Sequence, residues 1–257
     1  MSVYTTEIAS DKITSDNPIH QRLLQAYYLA KDYIQGDVLE IGCGEGRGLA
    51  LLAPNATSYT ALDKIGEVIE RLGKQYPNVK FIQTNIPPLK DLKDNSFDVV
   101  ISFQVIEHIK KDRVYLKEIH RVLKPGGKAI ITTPNIKKTL SRNPWHIREY
   151  TADQLKNLAS QFFDHVEMKG VAGNEKVMEY YEMNKKSVQK ITRYDILNFQ
   201  YLLPRFALKI PYEILNRMNR NKLQTTDNEL VKSIKNTDYV LSDDADNSLD
   251  LFCIMTK

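Results

Sequence analysis

From residue 35 onward, short apolar runs alternate with amphipathic stretches, the pattern of strands separated by helices. Val38–Ile41, Ser58–Asp63, Val79–Asn85, Phe97–Phe103 and Lys128–Thr133 read as successive strands. The run Phe97–Phe103 is apolar almost throughout, as expected of a strand covered by helices on both faces. After it, Tyr115, Leu116, Ile119 and Val122-Leu123 recur at helical spacing and lead into the turn Lys124-Pro125-Gly126-Gly127. Strands and helices in alternation predict an α/β fold. Ahead of the first strand, Pro18 follows the capping candidates Asp16 and Asn17, and Ile19, Leu23, Leu24, Tyr27 and Ala30 mark a helix. Further on, Thr151 can cap a helix carrying Leu155, Leu158 and Phe162, Val166–Met168 forms a sixth strand, and Leu249–Met255 forms the last.

Between these last two strands lies a long insertion, residues 171–248, that a plain α/β sheet does not need. Glu175–Asn184 and Ser187–Tyr201 read as helical, and the following stretch to Met218 mixes aromatic, aliphatic and basic residues. From Lys185 through Lys222 nine Lys or Arg stand against Asp195 and Glu213. Three roles fit: a lid over a cleft, a dimer interface, or an amphipathic surface that meets anionic lipid, giving peripheral membrane contact. The expected division is a cap-helix region 1–34, a core 35–170, the insertion 171–248 and a final strand 249–257.

The chemistry concentrates where the first strand ends, at Val38-Leu39-Glu40-Ile41-Gly42-Cys43-Gly44-Glu45-Gly46-Arg47-Gly48. Glycines on alternate positions let the backbone take positive φ and approach a ligand, and the helix that follows aims N–H groups at it. A dinucleotide fingerprint would need its third glycine where Arg47 stands. With Glu40 ahead of Gly42, Gly44 and Gly46, the segment resembles motif I of class I S-adenosylmethionine-dependent methyltransferases. The later strand ends and the Pro-Gly-Gly turn extend the resemblance over roughly residues 35–170 plus the terminal strand, and it is nearest to the small-molecule methyltransferases that include quinone-biosynthesis enzymes.

The resemblance implies a Rossmann-like, doubly wound seven-stranded sheet with its last strand antiparallel, and S-adenosyl-L-methionine as cofactor. It places Glu40 near the cofactor's amino group and the glycine loop beneath its methionine part. Asp63, at the end of the second strand, would accept hydrogen bonds from the ribose hydroxyls, or else simply cap the next helix. Asn85 stands where the family usually has Asp facing the adenine amino group, keeping an acceptor oxygen without the charge, and Ile86 would pack on the adenine. Phe103 and Gln104, closing the fourth strand, complete the cofactor set, and Glu40, Asp63 and Asn85 are expected around one shared pocket. The helix before the first strand commonly crosses the cofactor cleft in such folds, so Tyr27 and Tyr28 either line it or pack in the core.

A hydroxyl or ammonium acceptor must lose a proton, and the candidate bases are His108, just past the fourth strand, and His146, on the loop after the fifth. That loop, with Arg148, Glu149 and Tyr150, should overhang the reacting centre, since open α/β sheets bind ligands at their carboxyl ends. The fourth strand ends in Ser102-Phe103-Gln104-Val105, not in the Pro-Pro-aromatic motif of enzymes that methylate exocyclic amines of bases, and no cysteine lies there for attack on cytosine. A small-molecule acceptor is therefore expected, with a noncatalytic cofactor-binding regulatory module and an RNA methyltransferase as the alternatives.

Composition changes this picture little. A chain of 257 residues with 42% hydrophobic content can bury a core, and a net charge of +4 does not by itself call for nucleic acid or membrane. Two cysteines, Cys43 and Cys253, supply neither a disulfide framework nor metal spacing. Met1–Asn17 lacks the apolar core of a signal peptide, and no run approaches a membrane-spanning length, so a cytoplasmic location is expected.

Overall fold

A computed structural model describes residues 9–195 and 197–257; the first eight residues of the polar N-terminal segment lie outside the described residues. The sheet is built from β1 (Asp37–Ile41), β2 (Ser58–Asp63), β3 (Val79–Gln83), β4 (Phe97–Phe103), β5 (Leu123–Pro134), β6 (His165–Gly173), β7 (Tyr239–Ser242) and β8 (Asp250–Thr256). Their order is β3-β2-β1-β4-β5-β8-β6-β7. β1 to β5 run parallel, β8 inserts antiparallel between β5 and β6, and β7 adds an antiparallel edge to β6.

The sequence pattern predicts seven strands, whereas eight are present among the described residues. The extra one lies in the insertion, in a stretch to which the pattern assigned no element of its own. It has only four residues, with Tyr239 buried and Val240 exposed, too few for a two-residue period to declare itself. Pairing with it carries β6 to Gly173, well past the expected Val166–Met168.

Helices cover both faces: α1 (Asn17–Ala30), α2 (Leu49–Leu52), α3 (Gly66–Gln75), α4 (Asp112–Val122) and α5 (Ala152–Ala159). α5 starts at a capping box in which Thr151 Oγ1 accepts from the Gln154 N–H and the Gln154 side chain accepts from the Thr151 N–H. Apolar residues of β1 alternate between two cores: Val38 joins Tyr27, Leu49 and Tyr59 on one face, while Leu39 and Ile41 join Ile106, Tyr115 and Leu116 on the other.

Of the pair Tyr27 and Tyr28, the first is core and the second half-exposed. Tyr27 meets Phe103 edge to face at 4.8 Å and leaves no space over Gly48, where an added Cβ would lie 1.8 Å from its ring. Gly48→Ala is expected to lower stability by about 1–3 kcal/mol through overpacking, read as a lower denaturation midpoint.

The insertion folds as α6 (Glu175–Thr192), α7 (Phe199–Leu202), α8 (Arg205–Thr226) and α9 (Asn228–Ser233). α8 is fastened to the start of the chain, where Asp16 accepts from Arg217 at 2.7 Å and from Arg220 at 3.0 Å. Burial alone would raise the Asp16 carboxyl, but the two guanidiniums outweigh it and hold it below the usual carboxylate range. The other side of α8 is apolar and open, with Phe206, Ile210, Ile214 and Met218 exposed. No helix among the described residues is long and apolar enough to cross a membrane.

Candidate active site

Parallel strands bring their carboxyl ends to one edge, and the glycine loop is tied there by its own backbone. Gly42 and Cys43 both donate to the Leu62 carbonyl, at 2.8 and 3.0 Å. Gly42, Gly44 and Gly46 take φ of +78°, +48° and +78°, which L side chains rarely adopt. A Cβ on Gly44 would meet nothing within 4 Å, so the loop presents open backbone at the carboxyl edge. Asp63 Oδ2 accepts the Gly44 N–H at 2.9 Å and Oδ1 accepts the Ile65 N–H at 3.0 Å. Each carboxylate oxygen has a second lone pair for a hydroxyl. Asn85 is exposed just beyond β3, and Ile86 packs against the core beside it. An open glycine backbone beside a half-buried acid fits a nucleoside with an attached cationic chain.

Glu40 stands apart from these groups. It is buried, with Oε1 accepting from Tyr27 Oη at 3.0 Å and Oε2 from Tyr59 Oη at 2.9 Å. Burial pushes its carboxyl up to about 7, against the lowering effect of the two phenol hydrogen bonds. It lies beneath the loop as a support for it, reached through Tyr27 from α1.

Farther along the edge, past β4, a cavity of about 270 Å³ opens between the sheet and the insertion. Gln104, His108 and His146 line it, while Glu40, Asp63 and Asn85 do not. Gln104 holds its position with φ +57°, its N–H donating to the Thr132 carbonyl at 2.9 Å. Phe103, one residue back, is buried against Tyr27. The carboxyl edge thus carries open backbone at the glycine loop after β1 and a half-open cavity past β4, which Gln104 lines.

The loop after β5 is fixed by a chain of hydrogen bonds that also sets both imidazoles. The Trp145 N–H donates to Asn143 Oδ1 at 3.0 Å, so Asn143 Nδ2 must be the donor to His146 Nε2 at 2.8 Å. The proton of His146 then lies on Nδ1, which donates to Glu149 Oε1 at 2.6 Å, and Thr139 Oγ1 donates to the other Glu149 oxygen. His108 Nδ1 faces the Trp145 carbonyl at 3.1 Å; a carbonyl only accepts, so Nδ1 carries the proton and Nε2 is the basic nitrogen. The rings of His108 and His146 meet edge to face at 5.1 Å. Glu107 is buried beside them, accepting from Thr133 Oγ1 at 2.9 Å, and the donor atoms of Glu107, His108 and His146 lie within 4.8 Å of one another.

The insertion forms the far side of the cavity. Trp145 Nε1 donates to Glu213 at 2.9 Å, Lys209 Nζ lies 3.8 Å from the Trp145 ring centre, and Arg205 donates to the Ile147 carbonyl at 3.0 Å. The wall it supplies includes Tyr180, Asn184, Tyr212 and Asn219, which the sequence reading did not select. Their signal was present: Tyr180 and Asn184 on α6, and Tyr212, Asn216 and Asn219 on α8, recur at three- and four-residue spacing as a polar stripe.

A parallel sheet with one antiparallel strand inserted next to β5, a glycine loop after β1 and an acid closing β2 define the class I methyltransferase fold. Residues 39–131 match the family model described as a methyltransferase domain. Over this stretch the chain is similar to class I S-adenosylmethionine-dependent methyltransferases, a class whose cofactor is S-adenosylmethionine. It is 41% identical over 128 residues to a probable S-adenosylmethionine-dependent methyltransferase of Mycobacterium tuberculosis, covering 48% of this chain and 46% of that protein. It is 34% identical over 102 residues to a ubiquinone biosynthesis O-methyltransferase of Rickettsia typhi, covering 38% and 41% of the two chains. The chain thus spans about half the length of the curated relatives it matches. Among solved structures, a SAM-dependent methyltransferase of Thermotoga maritima, described as a possible histamine N-methyltransferase, superposes with a TM-score of 0.58 at 16% identity, covering 95% of this chain and 91% of that one. That likeness concerns the fold.

Proposed function

We propose that this chain transfers a methyl group from S-adenosylmethionine to a small-molecule acceptor held in the cavity between the carboxyl edge of the sheet and the insertion. The observation that supports this reading is the placement of the glycine loop at the end of β1 beside the end of the neighbouring β4, where Gln104 and His108 line the cavity. Bound S-adenosylmethionine supplies an electrophilic methyl carbon on a cationic sulfur. Gly42, Gly44 and Gly46 offer backbone to its methionine part, Asp63 accepts from the ribose hydroxyls, and Asn85 and Ile86 meet the adenine. His108, through Nε2, takes the proton that the acceptor must lose. His146 is a positioning residue: its two nitrogens are committed to Asn143 and Glu149, and it orders the loop over the cavity. The insertion acts as the lid, excluding water and aligning the acceptor, the main contribution a protein makes to an in-line displacement.

The reading is tested with methyl-labelled S-adenosylmethionine and cell extract separated into small-molecule, RNA and protein fractions. Label in the small-molecule fraction is expected. Label confined to RNA or protein would overturn the acceptor class, and cofactor binding with no transfer at all would favour a regulatory module. Asp63→Ala should raise the Kd for S-adenosylhomocysteine about 10- to 100-fold by calorimetry, the loss of a hydrogen bond to a charged group, with a modest fall in Tm as the Gly44 and Ile65 N–H groups lose their acceptor. Equal affinity in both proteins would remove Asp63 from the cofactor site.

A further inference from the structure

The cavity has two unlike sides. Towards the sheet, His108, His146 and Glu149 supply the chemistry. Towards the insertion, α6 supplies Val177, Tyr180, Asn184 and Val188, and α8 supplies Tyr212, Asn216 and Asn219. This reverses the usual arrangement, since on α8 the outward positions Phe206, Ile210 and Met218 are apolar.

Two of the inward groups are buried without partners among the described residues. Tyr180 is 6% exposed and its hydroxyl has no hydrogen-bond partner. Asn219 is also 6% exposed; its Nδ2 donates to Asn184 Oδ1 at 2.8 Å, and its Oδ1 has no partner. A buried polar atom left unpaired costs about 1–3 kcal/mol, so the fold keeps a donor–acceptor and an acceptor in this wall against its own stability. Both residues line the cavity.

We infer that the methyl acceptor is a polyhydroxylated, carbohydrate-type compound. This rests on the methyltransferase reading and narrows its acceptor. A sugar hydroxyl both donates and accepts, which matches the Tyr180 hydroxyl and Asn219 Oδ1, whereas a long aliphatic acceptor would leave these two atoms without a partner. Arg22, ion-paired to the buried Asp250 at 3.2 Å, adds a fixed donor array at the same wall. A cavity of about 270 Å³ suits one sugar ring, being close to the lower end of the roughly 300–1,000 Å³ usual for ligand pockets. One hydroxyl of the ring lies towards His108. Its oxygen forms the new bond to the methyl carbon, the methyl–sulfur bond breaks with its electron pair staying on sulfur, and the hydroxyl proton passes to His108 Nε2.

The test is ligand-observed NMR and calorimetry on the full chain saturated with S-adenosylhomocysteine, using methyl α-D-glucopyranoside, trehalose and maltotriose as probes and catechol as the contrasting aromatic diol. At least one sugar is expected to bind, and Tyr180→Phe should weaken it about 3- to 10-fold, the effect of one neutral hydrogen bond. That variant removes a hydroxyl with no partner in the fold, so its Tm should not fall; Asn184→Ala provides a second substitution in the same wall, with loss expected in the same direction. Binding of catechol alone, no sugar binding at millimolar concentration, or a sugar affinity indifferent to both substitutions would overturn the inference while S-adenosylhomocysteine still binds. Failure of S-adenosylhomocysteine itself to bind would overturn the methyltransferase reading and this inference with it.

Discussion

His108→Asn should lower the rate of methyl transfer by about 10²- to 10⁴-fold, the usual contribution of a placed general base, and leave the Kd for S-adenosylhomocysteine unchanged. The choice of Asn matters. Its Nδ2 can take over the bond that His108 Nδ1 makes to the Trp145 carbonyl at 3.1 Å, so the loop stays in place while the basic nitrogen is lost. The wild-type rate should fall on the acid side, where imidazole takes a proton, and that limb should vanish in the variant. His146→Ala should behave differently. Removing a ring held by both Asn143 and Glu149 loosens the loop, so KM for the acceptor should rise more than kcat falls, and the acid limb should remain. If the acid limb persisted in His108→Asn and disappeared in His146→Ala, the two roles would have to be exchanged.

The distinction between these histidines was not legible in the sequence, which placed both at the cavity and could go no further. What separates them is one amide orientation, set by a backbone N–H from Trp145 two residues away, and no periodicity reports it. The strands were legible because a buried parallel sheet requires near-continuous apolar runs; β2 and β4 fall at the predicted residues. The short edge strand β7 was not, since its order comes from pairing with Gly170–Gly173 and not from its own pattern. The stripe on α6 and α8 was visible as a spacing but not as a cavity wall. Tyrosines and asparagines on a basic helix read as solvated surface until the helix is packed over a cavity, and only packing shows which side faces in.

Glu40 shows the same limit most clearly and leads to a sign-definite pH effect. The sequence offers an acid before a glycine loop; the structure gives it two phenol donors and almost no exposure. Its folded pKa of about 7 lies above the ordinary 4.5, so between those values the native state holds a proton that the unfolded chain has released. Stability should therefore be highest below the lower value, decline as pH rises through the interval, and level off above the upper one. The shift corresponds to about 3 kcal/mol at one pKa unit per 1.36 kcal/mol. The buried Asp250, also raised by burial and only partly relieved by Arg22, acts with the same sign, whereas Asp16 and Asp37, held low, act in the opposite sense at more acidic pH. Comparison with Glu40→Gln isolates the one group: the stability of the variant relative to wild type should improve by about 3 kcal/mol between roughly pH 4 and pH 8 in chemical denaturation. A relative stability that stays flat across this range would mean that Glu40 is already ionised in the folded protein, its charge carried by Tyr27 and Tyr59 alone.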